Sequence, residues 1–187
     1  MDIGQVLTDA VVTRALSAAL SVLLLAGAWQ KLRDRELFQA AVENYELVPQ
    51  SWLAFIATGL PLLELASGIL LLPASTRPLG AGLTGIVLLV VTGAVVINLL
   101  RGRTDMDCGC GGLSAHVGEQ SLTWSLVVRN TLLLAALLLS LSDAEQRTLV
   151  WFDYLTVAGA TLALVGLYVA ANQLMANQPR LQSLRTH

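Results

Sequence analysis

The chain has 187 residues, of which 55% are apolar and 13% charged, with a net charge of −2. A soluble domain carries about 25% charged residues, so lipid must solvate much of this chain. So small a net charge, with no basic stripe bearing interleaved aromatics, excludes a nucleic-acid partner.

Residues 1–10 form a polar lead. The first apolar run, 11–29, is long enough to cross hydrocarbon. Arg14 lies in its first turn and can snorkel to the headgroups. Ala26-Gly27-Ala28 mimics a cleavage site, but Asp2 and Asp9 do not suit a signal peptide, and similar spans recur downstream. We therefore read 11–29 as a retained span. Residues 30–50 are polar and carry Lys31, Arg33 and Arg35. Phe38, Val42 and Tyr45 share a helical face there, which fits a short helix in the interface as well as a solvated loop.

The second span, 52–72, holds Pro61 and Glu64. Pro73 and Pro78 bracket a turn containing Arg77. The third, 79–100, is glycine-rich; Ala81 and Gly85 offer a close-packing face, and Asn98 lies near its end. Residues 101–120 form a polar loop. The fourth span, 122–141, carries Arg129 and Asn130, and 142–148 is a short turn. The fifth span, 150–171, has a second small-residue pair, Gly159 and Ala163. Residues 172–187 read as a frayed polar tail. Trp29, Trp52, Trp124 and Trp151 each fall at a span end, where amphipathic rings favour the headgroup layer. The expected fold is all-α: a polytopic transmembrane bundle over 11–171, with four core spans plus a fifth C-terminal one.

Five spans place Lys31, Arg33, Arg35, Arg101, Arg103, Arg180 and Arg185 on one side. Arg14, Arg77 and Arg147 lie on the other. The positive-inside rule puts the first group, and the 101–120 loop with it, in the cytoplasm.

That loop contains both cysteines of the protein, Cys108 and Cys110, separated by Gly109 and followed by Gly111 and Gly112. A disulfide across one residue needs a sharply turned backbone, which glycine permits. Such a ring is strained and therefore easily reduced, and so local a staple constrains almost no unfolded-state entropy. The spacing thus suits a redox pair better than a structural bond. A metal site built from Cys108, Cys110 and His116, with Asp107 or Glu119, lacks the spacing of common zinc modules. Inert thiols in a glycine turn are the bland alternative. Arg101, Arg103 and His116 would raise the thiolate fraction, whereas Asp105 and Asp107 would oppose it.

Glu64 is an ionisable group inside a span and therefore a functional candidate. Pro61, one turn earlier, frees a backbone carbonyl. Glu64 is expected either to relay protons or to pair with a cation such as Arg14 or Arg129. Asn98 and Asn130 are expected to bond between helices.

The order of these features resembles the MauE family of methylamine utilisation membrane proteins, which is DoxX-like in pattern. The resemblance rests on Arg14, on Lys31-Leu32-Arg33-Asp34, and on Phe38 with Tyr45-x-Leu47-x-Pro49. It continues through Pro61-x-x-Glu64, Asn98-Leu99-Leu100-Arg101-Gly102-Arg103, Asp107-Cys108-Gly109-Cys110-Gly111-Gly112 and Arg129-Asn130. It covers about residues 11–141. The family usually has an aromatic residue at the position of Gly111, a departure that leaves both thiols in place.

The resemblance implies a multi-pass helical protein of the bacterial cytoplasmic membrane, linked to maturation of methylamine dehydrogenase, whose small subunit is disulfide-rich and periplasmic. It implies a thioredoxin-like partner of the MauD type, with Cys108 and Cys110 as the exchanging pair. Glu64, Arg101, Arg103, Asp107, His116, Arg129 and Asn130 would support that pair. A membrane quinone is suggested as electron acceptor by analogy with other thiol-oxidising bundles. The family role points to periplasmic chemistry, whereas the charge count faces the loop inward. Two rival functions are a non-catalytic anchor for a soluble redox protein and a small transporter using Glu64.

Overall fold

The computed structural model describes residues 9–104, 122–142 and 150–185, with side chains up to residue 175. These residues form six helices and no strand: α1 (Ala10–Arg33), α2 (Arg35–Asn44), α3 (Gln50–Leu71), α4 (Arg77–Leu100), α5 (Trp124–Ser140) and α6 (Trp151–Arg185). Four of them, α1, α3, α4 and the 151–175 part of α6, are long and apolar enough to cross a membrane. With 17 residues, α5 is about 25 Å long. That is slightly less than the hydrocarbon thickness of about 30 Å.

Local signals set the helix ends. The Asp9 carboxylate accepts from the Val11 amide at 2.8 Å and caps α1. Pro78 sits in the first turn of α4, where its missing N–H is harmless. Arg77 belongs to that turn of helix rather than to the loop between the two prolines.

At its far end α4 stops in a Schellman motif. The Gly102 amide bonds to the Leu99 carbonyl and the Arg103 amide to that of Asn98, at 3.0 Å each. Gly102 has φ +75°, the left-handed geometry that this stop requires. The run Asn98-Leu99-Leu100-Arg101-Gly102 is therefore a helix terminator.

The central helix is α1, which packs on α3, α5 and α6. Its inward positions are small: Ala15, Ser17, Ala19, Ser21, Gly27 and Ala28 are all buried. Ser21 donates to the Gly68 carbonyl of α3 at 2.7 Å. Among the described glycines, the tightest fit joins α3 to α4. A Cβ on Gly80 would lie 2.7 Å from the Leu70 carbonyl carbon and the Leu71 amide nitrogen, so only glycine fits there.

The small-residue pairs expected from sequence behave differently. Ala81 is buried and Gly85 faces Leu137, but a Cβ at Gly85 would meet only an ordinary contact. Gly159 and Ala163 are exposed, and nothing lies within 4 Å of a Cβ on Gly159. Leucines on the outer faces of α3, α4, α5 and α6 are exposed, as befits helices in lipid. Trp29, Trp52, Trp124 and Trp151 are exposed as well.

Two further differences concern polar segments. Residues 35–44 are helical, and the Phe38, Val42 and Tyr45 face turns onto the bundle. Phe38 packs with Ala57 and Leu60 of α3, while Arg35, Glu36 and Glu43 stay outside. Residue 172 is not the start of a frayed tail. The helix α6 continues to Arg185, and Asn172 is buried.

Candidate functional site

Five side chains converge at the root of the 101–120 loop. Tyr45, at the end of α2, packs with Val95 and Leu99 of α4, with Leu122 just before α5 and with Leu126 in its first turn. The chain thus enters and leaves the loop from one apolar cluster. Arg103 is tied to Glu46 by an ion pair of 2.7 Å. Glu46 itself sits at φ 49°, a left-handed conformation that ends α2 and turns its side chain toward Arg103. The bond from Arg103 holds the Glu46 carboxyl below its ordinary range, and Glu46 in turn raises the guanidinium.

This sets a pH window. The Glu46 proton is lost more readily in the folded chain, so the pair contributes above the unfolded carboxyl pKa of roughly 4.3. Its contribution disappears as pH falls through the lowered folded value. Glu46→Gln is therefore expected to lower the melting temperature slightly at pH 7, since the pair is solvated. The difference from wild type should close in strong acid. A difference that persists unchanged to the acid limit would contradict the assignment.

Arg101 is exposed. Of the two arginines expected to influence the thiols, Arg103 therefore already has a carboxylate partner. Cys108, Cys110, Asp107 and His116 lie outside the described residues, as does Glu119.

Deeper in the bundle, Glu64 finds a cation that the sequence reading did not assign to it. The Lys31 ammonium lies 2.5 Å from Glu64 Oε1, with 8% and 7% of the two side chains exposed. Neither Arg14 nor Arg129 is the partner. Arg14 stands near Arg77 at the opposite end of α1. Arg129 bonds elsewhere. Lys31 reaches Glu64 because α1 persists to Arg33, so that its side chain turns inward and back along the helix. Its ammonium also lies 5.4 Å from the centre of the Phe38 ring. Pro61 is buried one turn before Glu64.

A second polar group joins α4, α5 and α6. Arg129 Nη1 donates to Asn172 Oδ1 at 2.9 Å, and Nε and Nη2 both reach Asn130 Oδ1 at 3.3 Å. Asn130 Nδ2 donates to Thr92 Oγ1 at 3.1 Å. The guanidinium also lies 6.0 Å from the Tyr168 ring centre. Asn130 thus bonds between helices as expected. Asn98 does not: its amide donates to the Ala94 carbonyl of its own helix at 3.2 Å. Its Oδ1 is buried without a partner among the described residues.

Members of the two polar groups, Lys31, Glu64, Arg129, Asn130 and Tyr168, share one chamber of about 80 Å³ with Thr84 and an otherwise apolar lining from α1, α4 and α5. A water needs about 10–15 Å³ of such space, so several fit. Glu64 Oε2 is buried and has no hydrogen-bond partner among the described residues. Among the described residues, two cations and one carboxylate line the chamber. Lys31, Thr92, Tyr168 and Asn172 are the members that sequence reasoning missed. The signal for Lys31 was its place two residues beyond the apolar run, on a helix that had not yet ended.

The model of the family described as methylamine utilisation protein MauE matches residues 9–143. The chain belongs to the MauE family. It is 35% identical to the methylamine utilization protein MauE of Paracoccus denitrificans over 165 residues, covering 86% of this chain and 85% of that protein. The MauE protein of Methylorubrum extorquens is 42% identical over 132 residues, covering 68% of this chain and 67% of its own. That of Paracoccus versutus is 38% identical over 133 residues, with coverage of 70% and 69%. No solved structure matches the chain. The matched stretch includes Lys31, Glu64, Arg129, Asn130 and the cysteine pair; Tyr168 and Asn172 lie beyond it.

Proposed function

We propose that this MauE family member is a cytoplasmic-membrane protein of methylamine utilisation that carries out thiol–disulfide exchange through Cys108 and Cys110. Its partner is a thioredoxin-like protein, and the disulfides it serves belong to a periplasmic subunit of methylamine dehydrogenase. The observation that carries this reading is the family match over most of the chain, coupled to the placement of its only two cysteines. They follow, within a few residues, the terminated and ion-paired end of α4.

The anchoring supports exchange chemistry. A dithiol that must meet a protein partner needs an exposed, glycine-permitted turn on a fixed base. The Tyr45 cluster and the Glu46–Arg103 pair supply that base. A thiolate of the partner attacks the Cys108–Cys110 disulfide, which breaks that S–S bond and forms a mixed disulfide. The partner's second cysteine then attacks the mixed disulfide, so that the partner leaves as a disulfide and Cys108 and Cys110 remain as a dithiol.

With Lys31 buried against Glu64, the loop-charge count loses one member. Arg33, Arg35, Arg101 and Arg103 still outweigh Arg14, Arg77 and Arg147, so the charge count favours a cytoplasmic loop, and exchange with periplasmic disulfides would then require the pair to pass electrons across the membrane.

Redox titration of the purified protein, read by alkylation mass, tests the chemistry. The expected result is one reversible two-electron step linking Cys108 to Cys110, within the range of exchange-active disulfides. Two thiols that stay reduced throughout would overturn it. Membrane-impermeant maleimide on intact cells tests the facing: labelling from outside would refute the inward assignment.

A further inference from the structure

An apolar groove of about 340 Å³ runs between α2, α3 and α4. Phe38 and Val42 line it from α2, Leu60 from α3, and Gly93 and Ala94 from α4. Val90, at its edge, is exposed on the lipid-facing side of α4. The lining is hydrocarbon except for the Tyr45 phenol and the Lys31 ammonium. Lys31 also lines the chamber that holds Glu64 and Arg129. One side chain therefore lines both a lipid-facing apolar slot and an interior chamber with room for water and a carboxylate oxygen that has no partner among the described residues.

We propose that this groove binds a quinone-class carrier, a flat apolar ring bearing carbonyls on an isoprenoid tail. The slot suits the ring and tail. The ammonium beside it suits a carbonyl oxygen, because a cationic donor makes the stronger hydrogen bond. The chamber behind it gives protons a path that hydrocarbon does not. A plain acyl chain would use neither the cation nor the chamber.

The role of this ligand as electron acceptor rests on the thiol–disulfide reading above. Oxidation of the Cys108 and Cys110 dithiol forms one S–S bond and releases two electrons and two protons. The quinone takes up both pairs and leaves as the quinol.

The test uses the full chain in nanodiscs of saturated phosphatidylcholine with a short-tailed azido-quinone. Photolabelling should fall on peptides from α2 and on the 89–97 stretch of α4, and unlabelled short-tailed quinone should compete for it. Gly93→Phe should reduce labelling about tenfold or more, since a Cβ there meets nothing within 4 Å and the ring would fill the groove. Val90→Trp, at the exposed edge, is the second variant should Gly93→Phe fail to fold. Labelling away from the groove, or undiminished in the folded variant, overturns the site. Competition by phosphatidylcholine as strong as by quinone makes the groove a lipid seat and overturns it too. The two readings fail separately. A reversible disulfide without groove labelling removes the quinone site. Groove labelling in a protein whose cysteines never pair removes the thiol reading and leaves the site.

Discussion

Lys31→Met is expected to destabilise the protein by about 3–5 kcal/mol, and Glu64→Leu by a similar amount, because each leaves a buried charge without its partner. The double substitution should recover most of that loss, since two apolar side chains of similar volume replace the pair. Lys31 also faces the Phe38 ring, so its removal costs somewhat more than that of Glu64. Glu64→Gln keeps the shape and a hydrogen-bond acceptor and should be milder than Glu64→Leu. Unfolding of the four proteins in mixed micelles gives the coupling energy. Additivity within about 0.5 kcal/mol would mean that the two side chains do not depend on each other. If Glu64→Gln instead abolished function while stability and thiol exchange stayed intact, the transporter reading would gain.

The second large effect is on activity alone. Cys108→Ser and Cys110→Ser should each reduce thiol–disulfide exchange to background, because a hydroxyl at neutral pH offers no counterpart to the thiolate. Neither should move the unfolding free energy by more than about 0.5 kcal/mol. A disulfide closing so short a loop removes little entropy from the unfolded chain. Full activity in both single variants would sink the redox assignment. Loss of activity together with a large loss of stability would make the cysteines a structural staple.

These expectations differ in how far the residues alone disclose them. The long apolar runs and the four border tryptophans announce the spanning helices, because hydrocarbon leaves the chain few other options. The 38, 42 and 45 spacing marks one apolar face but leaves an interfacial helix and a solvated loop equally open; the packing of Phe38 on Ala57 and Leu60 turns it inward. Glu64 stands out by its cost in a span, but its partner does not. Lys31 sits beyond the apolar run and counts as a loop charge until the helix is seen to reach Arg33.

Asn172 is misread in the mirror-image way. Hydropathy ends the fifth span at 171, while α6 runs on and returns that amide to Arg129. Hydropathy locates hydrocarbon, and hydrogen bonding decides where a helix stops. Close packing is harder still to anticipate. The Ala81 and Gly85 pair has the familiar spacing, yet Gly80, one residue earlier, touches the α3 backbone. Which glycine a neighbour reaches depends on the rotation of the helix, which composition does not set. The Asn98 to Gly102 run was legible only as part of a resemblance, and its backbone bonds give it a local reason.

The central claim is that Cys108 and Cys110 exchange with a thioredoxin-like partner. It is tested most directly by trapping. A Cys110→Ser variant, mixed with the oxidised form of a thioredoxin-like protein, should accumulate a mixed disulfide, because the Cys108 thiolate attacks the partner's disulfide and no Cys110 is present to resolve it. That species should be visible on non-reducing gels and lost on reduction, and Cys108→Ser should leave Cys110 to form its own or none. If neither single-cysteine variant traps the partner, while both thiols remain open to alkylation, the exchange account is wrong.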